Sequence, residues 1–187
     1  MTLIYGQAQA TIDSKHRLPI SMEFRLQIDR DDGDGFIVTL GPDYYLWIYP
    51  DTYFTRLLAS LDRLPLPEEE SEDLSMFYAF AEKVKPDSQG RIVLSERSRA
   101  QAILADQVVL VGNNDHIEVW PTAAWAQRVK DKMPNYRSNL LTLSRRLRAE
   151  RRGLQSVSNS AQGRAVPARE QTPPAAMEGD IKGPKKE

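Results

Sequence analysis

Asp13-Ser-Lys-His-Arg17-Leu-Pro-Ile-Ser21-Met-Glu-Phe-Arg25 and Asp87-Ser-Gln-Gly-Arg91-Ile-Val-Leu-Ser95-Glu-Arg-Ser-Arg99 are two versions of one segment. At an offset of 74, Asp, Ser, Arg, Ser and Arg coincide, and the apolar Leu18 and Ile20 fall on Ile92 and Leu94. A second block follows each copy. Phe36-Ile-Val-Thr-Leu-Gly41 answers Val108-Val-Leu-Val-Gly112, Leu46-Trp-Ile-Tyr-Pro50 answers Ile117-Glu-Val-Trp-Pro121, and Phe54 falls on Trp125, all at an offset of 71. The slip of three lies in Asp29-Arg-Asp-Asp-Gly-Asp-Gly35, a loop, where length changes are tolerated. Two ordered blocks with one loop-sized slip describe an internal duplication.

Each copy has the same local reading. A strand ends at the Asp, a tight turn follows, and a short strand comes next (Arg17–Ile20, Arg91–Leu94). A brief helical piece around Met22–Ile28 or Glu96–Leu104 leads to two β-rich strands joined by Gly41-Pro-Asp43 or Gly112-Asn-Asn-Asp115. A helix then starts at Pro-Asp-Thr or Pro-Thr, since proline suits the first helical turn and Asp or Thr can cap it. The units span 1–64 and 83–134. Each copy is only about 50–60 residues and would be marginal alone, so both are expected to pack around one core. Between them, at 65–82, Leu64-Pro-Leu-Pro-Glu-Glu-Glu-Ser-Glu-Asp73 places prolines and acids where a helix begins, predicting a helix over Glu68–Ala81 with Leu74, Phe77, Tyr78 and Ala81 on one face. Segment 135–153 predicts another helix, Arg137–Arg152, with Leu140, Leu143 and Leu147 aligned. From 154 to 187 the Ser-, Gln-, Pro- and Ala-rich composition predicts disorder.

Composition narrows the functions. The 187 residues contain no cysteine, which excludes disulfides, thiolate metal sites and thiol catalysis. The two histidines, His16 and His116, are too few for a histidine metal cluster, and His116 reads as a loop residue. No nucleophile–base pair stands out, so an enzyme, a cofactor and a metal are not expected. The start of the chain lacks a secretory pattern and no apolar run approaches the ~20 residues of a membrane span, giving a soluble, cytoplasmic expectation. The net charge of −1 hides an asymmetry: residues 1–134 hold 14 Lys and Arg against 21 Asp and Glu, and residues 135–187 hold 11 against 5. A basic tail on an acidic body points to a partner, without naming it.

The chemistry-bearing candidates are the two turns. In Asp87-Ser-Gln-Gly-Arg91 the Asp can bond to the backbone two residues on, and Gly90 can take the left-handed conformation. Arg91 then stands at the base of a strand, where a guanidinium can fork onto a phosphate or the O6/N7 edge of guanine. A hairpin whose Asp–Arg pair only fixes the loop is the alternative. Arg145-Arg-Leu-Arg-Ala-Glu-Arg-Arg152 reads equally as a phosphate anchor or a solvated helix face.

Those motifs carry a resemblance. Tyr5-Gly6 followed by Thr11-Ile-Asp-Ser-Lys-His-Arg-Leu-Pro-Ile-Ser-Met-Glu-Phe-Arg25 is similar to the opening of the MraZ family, whose hallmark is Asp-x-Lys-Gly-Arg before an apolar strand and Phe-Arg. Leu46–Pro50, Asp87–Arg91 and Val109–Trp120 match in the same order, so the resemblance covers residues 1 to about 150. It implies an α+β fold of tandem AbrB-like swapped-hairpin units forming one barrel-like core with flanking helices. It implies a ring-like homo-oligomer that binds short direct repeats of double-stranded DNA in a promoter ahead of division and cell-wall genes, at the nucleoid. It maps DNA contact onto Asp13, Lys15, Arg17, Asp87 and Arg91. The alternative is an antitoxin-like or protein-interaction module of the same fold. Two positions depart from the pattern: His16 stands where the family has glycine, and Gln89 where it has lysine.

Overall fold

The structure, a computed structural model, describes residues 2–61 and 68–162; residues 62–67, where the first unit meets the linker, and residues 163–187 of the expected disordered tail 154–187 lie outside them. The first copy supplies β1 (Gln7–Thr11), β2 (Arg17–Pro19), α1 (Met22–Gln27), β3 (Phe36–Leu40), β4 (Leu46–Pro50) and α2 (Asp51–Leu61). The linker helix α3 runs Glu68–Phe80, as its prolines and acids predict. The second copy repeats the order: β5 (Glu82–Val84), β6 (Arg91–Val93), α4 (Glu96–Gln101), β7 (Gln107–Asn113), β8 (His116–Pro121) and α5 (Thr122–Gln162).

The copies exchange strands. β1 pairs with β7 of the other copy, and β5 pairs with β3. The hairpins β3–β4 and β7–β8 stay within a copy and join through β4–β8. The result is a six-stranded antiparallel sheet ordered β1-β7-β8-β4-β3-β5, with β2 and β6 forming a separate ladder. The expected barrel-like closure is therefore corrected to an open sheet. β1 and β5 are both edge strands, and β2 and β6 leave the sheet to pair with each other. The edges stay short, at five and three residues, which limits unwanted strand addition.

Register exposes a pseudo-two-fold. Arg17 opposes Val93 and Pro19 opposes Arg91, so the axis passes Leu18 and Ile92. Leu46 opposes Val119 and Ile48 opposes Ile117, so it also passes Trp47 and Glu118. Alternation sends Leu18 and Ile92 inward, where neither is exposed. They join Ile20, Phe24, Val38 and Ile48 of the first copy and Leu94, Val108, Leu110 and Val119 of the second in one apolar core. Residues Met1–Pro134 accordingly form one compact unit, and Asn135–Glu187 a second.

Aromatic packing obeys the same symmetry. Phe54 at the start of α2 lies 5.2 Å from Tyr49, and Trp125 at the start of α5 lies 5.6 Å from Trp120. Tyr45 stacks on Trp120 at 4.2 Å, and His116, its counterpart, on Tyr49 at 4.9 Å. His116 is thus not a loop residue. It opens β8, is buried, and also stacks on Trp47 at 4.3 Å. Its Nδ1 lies 2.7 Å from Asp115 Oδ1 and its Nε2 3.6 Å from Glu118 Oε1. Burial alone would lower the imidazole pKa, but the carboxylates of Glu118 and Asp115 overcome it and hold it above the ordinary value. A raised folded-state pKa stabilises fully below the unfolded value of about 6.5 and is lost as pH rises through the folded one. Thermal unfolding should therefore occur at falling temperature as pH rises above about 6.5, and His116→Gln should flatten that decline; an unchanged slope in the variant would refute it.

α5 runs without interruption through Pro134 to Gln162, taking in the helix expected over Arg137–Arg152. Proline removes the bond to the Lys130 carbonyl and costs about 3 kcal/mol inside a helix. Lys130 is exposed, so water can satisfy that carbonyl.

Candidate nucleic-acid interface

Both turns are built alike, atom for atom. Asp13 Oδ1 accepts from the backbone N–H of Lys15 at 2.9 Å and of Arg17 at 3.0 Å. Asp87 Oδ1 accepts from Gln89 and Arg91, each at 2.9 Å. The backbone closes each loop, with His16 N–H donating to the Asp13 carbonyl and Gly90 N–H to that of Asp87, both at 2.8 Å. The second carboxylate oxygen then takes the guanidinium. Arg17 Nε and Nη2 lie 2.7 Å from Asp13 Oδ2, and Arg91 Nε and Nη2 lie 2.8 and 2.6 Å from Asp87 Oδ2.

This arrangement decides what the arginines can still do. A guanidinium has five N–H donors, and the Asp occupies its Nε–Nη2 edge. Among the described residues the Nη1–Nη2 end has no partner, so a loop-fixing pair leaves one side chain able to take a second forked partner. Charge adds to the orientation: the side-chain bond from Arg91, then that residue's backbone N–H, hold Asp87 down at about 2, and the Arg17 backbone N–H leads in lowering Asp13. Both carboxylates therefore stay ionised through the physiological range.

The turns are also joined. The carbonyl of Gly90 accepts from Ile20 N–H at 3.0 Å, and that of His16 accepts from Leu94 N–H at 2.9 Å. With β2 and β6 antiparallel, Arg17 and Arg91 are diagonal neighbours about 7–8 Å apart, on the face of the ladder opposite Leu18 and Ile92. All five candidates thus belong to one paired feature, Lys15 at the exposed tip of the first turn and Gln89 at that of the second.

Backbone strain separates the copies. His16 has φ 60° and Gly90 φ 76°, both left-handed. A Cβ on residue 90 would also stand 2.6 Å from Arg25 Cζ. Gly90→Ala should cost about 1–2 kcal/mol, while His16→Gly should gain less than about 1 kcal/mol, since glycine relieves strain but loosens the unfolded chain. Urea unfolding of both variants checks this, and a neutral Gly90→Ala would refute it.

Arg25 is a neighbour of the candidate site that sequence reading did not assign to it. It belongs to the first copy, yet its guanidinium lies against Gly90 of the second turn, with Nε bonded to the Ile20 carbonyl at 3.2 Å. Its recurrence as Arg99 at the offset of 74 was the available signal. Among the described residues no group of three His, Cys, Asp or Glu could hold a metal, and no helix is long and apolar enough to cross a membrane.

Comparison with known proteins returns the same duplication. The family model described as "MraZ protein, putative antitoxin-like" matches twice, at residues 3–77 and 76–139. A protein of Lactiplantibacillus plantarum named transcriptional regulator MraZ is 32% identical over 135 residues, covering 72% of this chain and 93% of that protein. Its namesake from Pediococcus pentosaceus is 31% identical over 72% of this chain and 92% of its own. The one from Roseiflexus castenholzii is 33% identical over 66% and 84%.

Proposed function

The chain belongs to the MraZ family, and from that premise we propose that it is a DNA-binding regulator of transcription whose paired turns read short direct repeats in a promoter. The observation that carries this reading is the paired guanidiniums: two arginines, each oriented by its own carboxylate, each with a forked end free, on adjacent strands. In this reading Arg17 and Arg91 are the principal contacts, Lys15 adds a phosphate contact, and Asp13 and Asp87 position the arginines. The names of the relatives support regulation of transcription.

Residues 1–134 carry seven more acids than bases, so bulk charge does not bring DNA to this body. Affinity then comes from local arginines multiplied over several subunits on repeated sites, for which a ring-like homo-oligomer is suited. The exchange of β1 and β5 between copies supports an AbrB-like swapped-hairpin ancestry. The target is taken as the promoter of a division and cell-wall gene cluster, and the working place as the nucleoid.

The test is anisotropy titration of the full chain against DNA from upstream of its own gene and against a scrambled duplex, over a range of salt. The expected result is preferential binding to the upstream DNA, with a log–log salt slope set by the phosphates contacted. Equal affinity for both duplexes would overturn sequence-specific reading. No binding to either would favour the protein-interaction alternative.

A further inference from the structure

In the second unit, α5 carries a line of exposed apolar side chains. Tyr136 is 59% exposed, Leu140 47%, Leu143 52% and Leu147 57%. Their spacing of four, three and four residues is the seam of a coiled coil, with Tyr136 and Leu143 in one core position of the heptad and Leu140 and Leu147 in the other. These four large apolar groups, with Leu141 beside them at 52% exposed, carry an unrecovered hydration cost in water. The positions that flank such a seam hold Arg137, Asn139, Ser144 and Arg146, two cations and no acid. Arg145 and Arg148, both exposed, add charge on the remaining surface.

We infer that Tyr136–Leu147 of α5 is a docking face for an amphipathic helix of another protein, whose leucine-type seam is flanked by acidic residues. Flank charge selects the occupant. A second copy of α5 would bring arginine against arginine or against a neutral residue in either orientation, and like charges at flanking positions set pairing against itself. Glutamates there turn the same contacts into interhelical ion pairs. DNA satisfies the arginines but leaves the seam in water, since phosphates offer nothing to Leu140 or Leu147. A membrane surface takes a broad apolar face of about 100° or more, whereas, Leu141 apart, the apolar groups here keep to two positions in seven. The inference does not rest on DNA reading by the turns, which lie in the other unit.

The probe is a labelled synthetic helix with leucine at both seam positions and glutamate at the flanks, titrated with the full-length protein. A matched peptide with lysine at the flanks is the control. The glutamate peptide should bind, and on the order of tenfold more tightly than the lysine peptide, with the gap shrinking in high salt. Leu140→Ser with Leu147→Ser should abolish binding while the unfolding midpoint and DNA affinity stay unchanged, because these positions are exposed. Arg137→Glu with Arg146→Glu should reverse the preference to the lysine peptide. Equal binding of both peptides, or none, would overturn the proposal. So would leucine-dependent binding to phosphatidylglycerol vesicles without peptide binding, or a change of oligomeric state in the serine variant without peptide, which would assign the face to a membrane or to a second copy.

Discussion

Arg17→Ala combined with Arg91→Ala should abolish sequence-specific DNA binding while leaving the fold intact. Each guanidinium that reads a base edge is worth about 1–3 kcal/mol, so losing both removes roughly 2–6 kcal/mol per chain, between about 30-fold and over 10⁴-fold in affinity. If they touch phosphate alone, all duplexes should weaken together and the salt slope should fall by about one per contact. Lysine is expected to rescue poorly. Its ammonium cannot hold the Asp along one edge and offer a forked pair at the other. Asp87→Asn separates orientation from contact: Arg91 keeps its charge but loses its ionic tether, so specificity should fall more than binding to unrelated DNA. Stability should change little, because the side chains of both arginines are a quarter to a third exposed and make surface pairs with their Asp. The reading fails if the double alanine variant keeps native promoter affinity while truncation after Arg137 destroys it, an outcome that would move the DNA site to the basic helix.

The second large effect lies on the pseudo-two-fold. Leu18 and Ile92 face each other across the β2–β6 ladder, and neither is exposed. Leu18→Ala or Ile92→Ala should each cost about 2–5 kcal/mol, the transfer of the lost methyl groups plus the void left behind. That is a large share of the 5–15 kcal/mol or so that holds a typical domain together. The core is drawn from both copies, so both should unfold in one transition at a lower midpoint, read by near-ultraviolet circular dichroism and tryptophan fluorescence in urea. Loss of less than about 1 kcal/mol, or separate transitions for the two copies, would refute a shared core.

How far the fold was readable depends on the range of the interaction that sets each part. The duplication was legible because Asp and Arg recur where the turn needs them and Ser recurs ahead of each short helix, where Ser95 accepts the Ser98 N–H at 3.1 Å and Ser21 makes no such cap bond. The linker helix was legible from prolines and acids ahead of Leu74 and Phe77. Pairing partners were not: nothing in Gln7–Thr11 says it will lie on β7 rather than on its own copy, since alternation fixes a face and not a neighbour. For the same reason, sheet closure was expected and an open sheet found. His116 was misread because a polar residue after Asn-Asn-Asp has the local grammar of a loop, while its burial is set by Trp47 and Tyr49, far away in sequence. Within the candidate site, the turns and their arginines were visible, but the Asp occupation of one guanidinium edge and the approach of Arg25 to Gly90 required coordinates.

The ladder that joins the two turns has a further consequence. Its halves sit on one polypeptide, so their encounter is unimolecular, and dilution cannot separate them as it would two independent chains. A scarce protein keeps the pair assembled. Covalent linkage also frees each half to drift, because a change in one is not copied into the other, as it must be in a symmetric pair of identical subunits. Lys15-His16 in the first turn and Gln89-Gly90 in the second already differ in this way: two turns at like positions, no longer interchangeable.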